Sequence, residues 1–213
     1  MSMFNRTGSV IAHSPDRAGE MPQPGSETAA QEAAHRTFEE QSSEFYWLAY
    51  LLTGDSERAV QAFTGALEFS DAPTPVFREF MISWARKLVI ASALATVALK
   101  LRASALSFEQ SDFDDMARHA RSSSSLGMMS RDLTKPELHC ALLAIDVFPR
   151  CALLLTIFEK LSVKDAALLL NADERLVRRA QASALIDLSH NLARAADVAE
   201  RTASGSQNVH KRA

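Results

Sequence analysis

The chain has 213 residues, is 47% hydrophobic and 23% charged, and carries a formal net charge of −3. At roughly 100–200 residues per domain, that length suits one large domain or two small ones. The composition excludes a wholly disordered or fibrous chain. No apolar run approaches the ~18 residues of a membrane span, and the longest weakly polar stretch, Leu88 to Leu99, is short and alanine-rich. The N-terminal MSMFNRTGSVIAHSPDR lacks the continuous apolar segment of a secretion signal. The expectation is a cytoplasmic protein with no membrane partner. A slightly acidic balance gives no global pull on nucleic acid, so any such binding must rest on a local patch.

In chain order, residues 1–35 hold Gly8, Pro15, Gly19, Pro22, Pro24 and Gly25 with few large apolar residues, and read as a disordered arm. A helical domain is expected over residues 36–102. Phe45, Leu48, Ala49 and Leu52 fall at helical spacing before Gly54-Asp55 breaks the pattern. Asp55 or Ser56 can cap the next helix, which carries Val60, Phe63 and Leu67 on one side. Pro73 and Pro75 interrupt again, and Pro75 suits a first helical turn. Phe77, Phe80, Met81, Trp84 and Leu88 then form a stripe that reads as core. Residues 103–135, with SDFDD, Ser122 to Ser125 and Gly127, read as a polar linker with a helical turn near Phe113 to Ala120. A second helical domain is expected over 136–199 and a disordered tail over 200–213. Alternating strand patterns are missing, so the predicted class is all-α: two small helical domains joined by a polar linker.

Cys140 and Cys151 are too few for a disulfide framework and read as small buried apolar groups. His139 beside Cys140 has no second Cys/His pair to complete a tetrahedral site, so neither a metal nor another cofactor is expected. Glycine-rich phosphate loops, a GxSxG elbow and an HExxH pair are also missing, so no catalytic residue is assigned and an enzyme is not expected.

The most specific segment is residues 148–192. It reads as a long apolar helix, a short helix, a tight turn and a final helix. Ser162 and Asp165 have capping-box spacing, with Asp in place of the usual Glu or Gln. Val163, Ala166, Ala167 and Leu170 make the buried face of the short helix. Asn171 suits a left-handed turn position and Asp173 can cap the final helix. That is the pattern of a helix-turn-helix, whose second helix enters the major groove by its N-terminal residues. Those residues are Glu174, Arg175, Arg178 and Arg179, with the arginines at i, i+3 and i+4 on one face while Val177 and Ala180 turn inward. Three neutralised phosphates would give a salt slope of about −2.7 on duplex DNA.

The run FPRCALLLTIFEKLSVKDAALLLNADERLVRRA resembles the promoter-reading domain of bacterial RNA polymerase sigma factors of the extracytoplasmic-function type. LAYLLTGDSERAVQAFTGAL is similar to that family's polymerase-binding helices, and FREFMISWARKLV to its promoter-opening helix. The resemblance implies a two-domain helical protein whose partners are core RNA polymerase and promoter DNA, and it leaves room for an inhibitory regulator protein. It also implies polymerase contacts at Asp55 and Glu57, and contacts to the downstream promoter element at Arg86 and Lys87 beside Trp84.

The chain departs from the family pattern at several places. Arg58, Ala59, Ala62 and Gly65 surround the expected acidic cluster, IASALATVAL follows Lys87, and Ala180, Ser183 and Leu185 stand where arginines are usual. Residues 37–101 carry five Lys/Arg against eight Asp/Glu, a balance poorly suited to gripping DNA. The alternative expectation is therefore a degenerate sigma fold that acts through protein contacts without reading promoters.

Overall fold

The computed structural model describes the backbone of residues 24–68, 78–111 and 134–209, and the side chains of 32–68, 80–111 and 134–196. All of its regular elements are helical, and no strand occurs among the described residues. The all-α expectation holds. Five helices precede the gap at 112–133: α1 (Pro24–Glu40), α2 (Ser42–Thr53), α3 (Ser56–Glu68), α4 (Arg78–Thr96) and α5 (Ala98–Gln110). Four follow it: α6 (Lys135–Leu143), α7 (Val147–Leu153), α8 (Val163–Leu170) and α9 (Glu174–Val209), with a π-helical stretch, Leu154–Phe158, extending α7.

Three expected boundaries are corrected. The arm is not irregular to residue 35, because α1 begins at Pro24, a residue suited to a first turn. Ala34 and Phe38 of that helix are buried. Phe38 meets Phe45 and Phe63 edge-on, with ring centroids 5.4 and 5.9 Å apart. The linker does not begin at 103, since α5 continues to Gln110 and buries Leu101 and Ser104. Nor does helix end near 199: α9 runs on to Val209. The helical turn expected near Phe113 to Ala120 lies outside the described residues.

Small residues set how closely α3 and α4 pack. The face that α3 buries is Ala59, Ala62 and Ala66, whereas Phe63 and Leu67 are half-buried and Val60 is exposed. Phe63 and Leu67 of the predicted side pack against the core beside this alanine seam, and Val60 alone of the three faces solvent. A Cβ on Gly65 would lie 2.8 Å from the Ser92 hydroxyl, so the two helices nearly touch there. α4 answers with Met81, Ala85, Val89, Ile90 and Ala93. Its predicted stripe is corrected in part: Met81 is buried as expected and Trp84 and Leu88 pack against the edge of the core, but Phe80 is 57% exposed. A seam between alanines has no room for those rings. Phe77 falls outside the described residues. α4 and α5 meet at a 73° bend, and no single helix among the described residues is long and apolar enough to cross a membrane.

One buried cluster draws on both sets of helices. The Cys151 thiol donates to the Leu52 carbonyl at 3.5 Å. Ser104 of α5 donates to the Asp146 carboxylate and accepts from the Phe148 N–H at 3.1 Å. Arg150, only 4% exposed, donates through one nitrogen to the carbonyls of Leu143 (3.2 Å) and Ile145 (2.8 Å). Its other terminal nitrogen lies under Gly54, which ends α2 in the left-handed region at φ 71° and donates to the Tyr50 carbonyl at 2.7 Å. A Cβ on Gly54 would stand 2.6 Å from that nitrogen.

The cysteines differ in environment. Cys151 is fully buried as expected, and burial pushes its thiol up to about 12. Cys140, expected to be buried, is exposed on α6. A thiol-reactive dye should therefore label one cysteine in the folded chain and both in denaturant, since the thiolate is the reactive form. Gly54→Ala should destabilise the fold by about 1–3 kcal/mol, from left-handed strain and displacement of a buried guanidinium. A thermal melt unchanged by that substitution would mean Arg150 is free to move.

Candidate nucleic-acid interface

The α8–α9 pair is built by local chemistry. Ser162, extended at ψ 151°, accepts from the Asp165 N–H at 3.1 Å and so caps α8. Asp165 closes back on the Ser162 hydroxyl at 2.6 Å. Asp is one methylene shorter than Glu, and it bonds that hydroxyl in place of the backbone N–H of a full capping box. Asn171 ends the helix in the left-handed region at φ 47°, a conformation that asparagine tolerates. Asp173 then accepts from the Arg175 N–H at 2.7 Å, capping α9. Ala166, Ala167 and Leu170 bury against a core that includes Val177, Ala180 and Ala184. The caps, the turn residue and the inward faces fall where the sequence puts them, although Val163 is only half-buried.

The arginines do not form one free face. Arg175 and Arg178 are exposed, and Arg178 pairs with Glu174 at 3.3 Å, an i,i+4 contact. Arg179 is half-buried. Its guanidinium donates to the Phe108 carbonyl at 2.8 Å and lies 4.9 Å from the centroid of the Phe108 ring. The acceptor belongs to the last turn of α5, where carbonyls lack helical partners and a positive charge is favoured. Phe108 in turn packs on Phe148, centroids 6.1 Å apart.

Arg86 is similarly engaged. It faces Glu159 at 3.4 Å and Glu44 at 3.7 Å. Its Nε is buried without a hydrogen bond, so the Glu159 pairing is a charge contact with poor alignment. The Glu159 side chain is only 10% exposed. Lys87 remains exposed, whereas Trp84 packs at the edge of the core. Asp55 caps α3, accepting from the Arg58 N–H at 2.9 Å, and Glu57 is exposed one residue into the helix after Ser56. His139 stacks on Trp47 with centroids 4.5 Å apart, and no group of three His, Cys, Asp or Glu side chains among the described residues could hold a metal ion.

Sequence reasoning missed Phe108 and Glu159 as arginine partners. Neither has a local signal, because both pairings join helices far apart in the chain. Arg150 did carry one: a lone cation inside an otherwise apolar run. Compared with protein-family models, curated proteins and solved structures, the chain matches none.

Burial pushes the Glu159 carboxyl above its ordinary 4.5, while Arg86 pulls it back down. The folded chain therefore holds that proton where the unfolded chain has released it, and this residue's contribution to stability falls as pH rises above 4.5. Glu159→Gln abolishes that dependence. In urea unfolding, the stability of the native protein minus that of the variant should decline as pH rises above 4.5; a flat difference would mean the carboxyl is effectively in water.

Proposed function

We propose that this chain is a sigma-factor-like transcription initiation protein, non-enzymatic, that docks on core RNA polymerase and contacts promoter DNA through α8 and α9. The observation that carries the reading is the α8–α9 unit itself. It has two capped helices, a left-handed Asn171 between them, a small-residue seam inside, and Arg175 and Arg178 exposed on the first turns of the second helix. In this reading α8 and α9 are a helix-turn-helix and α9 enters the major groove. The first five helices form the polymerase-binding part, where Glu57 and Lys87 remain exposed.

A second reading has its own support. Arg86, Arg178 and Arg179 already have partners within the chain, which favours a sigma-like protein that works through protein contacts without reading promoters. The two readings separate on salt dependence, because counterion release accompanies phosphate contact.

Core RNA polymerase captured with the purified protein, followed by sequencing of the retained DNA, is the direct experiment. Capture with an enriched motif supports the first reading, and capture without selectivity the second. No capture from folded protein removes both. Within the first reading, Arg175→Ala with Arg178→Ala should weaken duplex binding by about 1–3 kcal/mol if one of them is bidentate to a guanine. With Arg179 held by Phe108, the salt slope of the native chain should be near −1.8, two contacts instead of three.

A further inference from the structure

The helix α5 packs only one of its faces into the core. Leu101 and Ser104 are buried, and Phe108 is half-buried against Phe148. On the opposite side stand Leu99, Arg102, Leu106 and Glu109, at the spacing of a and d positions in a heptad. Leu99 is 88% exposed and Leu106 is 52% exposed. Arg102 and Glu109 are exposed too, and neither has an ion-pair partner among the described residues. A single exposed leucine is ordinary. Two of them in one stripe with two unpaired charges of opposite sign are the pattern of a helix-pairing seam.

The order of the four side chains decides what covers them. Their spacing is the same read from either end, and its midpoint is Ser104, which is also the midpoint of Ala98–Gln110. A second α5 laid antiparallel with full overlap therefore sets Leu99 level with the partner's Glu109 and Arg102 level with the partner's Leu106. Leu99 then lies about 4.5 Å along the axis from the partner's Leu106, and Arg102 the same distance from the partner's Glu109. A parallel pair would instead set Arg102 against Arg102 and Glu109 against Glu109, so charge complementarity selects the antiparallel one. Ala98 and Ala103, exposed beside the stripe, are small and let the two helices approach. We propose that the outward face of α5 is a self-complementary docking surface for a second copy of this chain, forming a two-fold dimer. Because α5 has 13 residues and is about 20 Å long, the contact is small and the dimer is weak and concentration-dependent. The proposal stands apart from the polymerase and DNA reading.

Sedimentation equilibrium of the full chain, from low to high micromolar concentration, should show monomer and dimer in exchange. Leu99→Asp with Leu106→Asp should raise the dissociation constant on the order of tenfold or more. Its thermal melt at low concentration should match that of the native chain, because neither leucine is part of the core. Leu99→Asp alone, at the more exposed position, replaces the pair if the double variant melts early. Arg102→Glu and Glu109→Arg should each weaken the dimer when made singly. Made together in one chain they should restore it, a rescue that a role of these side chains within the monomer would not produce. A monomer at every concentration, a dimer indifferent to the leucines, or a charge exchange that fails to restore association each overturns the proposal. A monomer that co-sediments with vesicles of anionic phospholipid only while both leucines are present gives the face to a lipid surface and overturns it likewise.

Discussion

A buried guanidinium organises the join between the two sets of helices. Arg150 stands on α7, yet its hydrogen bonds go back to the carbonyls of Leu143 and Ile145, at the end of α6 and in the turn that follows. Burial lowers its affinity for a proton, opposed by the nearby Cys151, Asp146 and Tyr50. A charge in that position is tolerable only where carbonyl dipoles converge on it, and the end of α6 supplies them. The second consequence falls on α2. Its closing turn passes over the guanidinium so closely that no Cβ fits at residue 54, and the turn also needs a left-handed backbone. Glycine meets both demands at once. Through Arg150 the end of α2, the α6–α7 turn and the start of the apolar α7 become one packed unit.

Around that join the helices approach through alanine. Ala59, Ala62 and Ala66 on α3, and Ala166, Ala167, Ala180 and Ala184 on α8 and α9, are all buried. Seams of this kind bring helix axes close and give little apolar area per residue, so the larger side chains must do their burial elsewhere. Phe45, Phe148, Leu52 and the leucines at 153–155 provide it within the cluster that both sets of helices share. Of the aromatic residues that helical spacing assigns to the α4 stripe, Phe80 is exposed and Trp84 lies at the rim of the core, because an alanine seam excludes rings. Ile157 and Phe158, at the end of the π-helical stretch, remain 45% and 43% exposed.

This division explains what could be read from sequence. Caps and turns are local: a serine, aspartate or asparagine at a helix boundary satisfies backbone groups within three residues of itself. Ser162, Asn171, Asp173 and Asp55 therefore behave as their positions predict. The inward faces of α8 and α9 follow from period alone. The failures are tertiary. Helical spacing marks an apolar stripe on α3 and α4 but cannot tell which of two adjacent stripes meets the neighbour, and small residues won. Alanine-rich 26–34 was overshadowed by the glycines and prolines before it, so the start of α1 was missed. Arg179 stands at the spacing a groove-binding surface requires and Arg86 where the family resemblance implies a promoter contact, but neither signal carries information about Phe108, 71 residues away, or Glu159.

The arginines impose an exchange on any function this surface has. An arginine that stabilises the closed molecule and one that neutralises a phosphate cannot be the same group at the same moment. Under the proposed reading, the Phe108 contact leaves Arg175 and Arg178 as the exposed arginines at the start of α9. With a net charge of −3 there is little general attraction for nucleic acid, so any grip on a promoter would rest on such placed cations and on the polymerase.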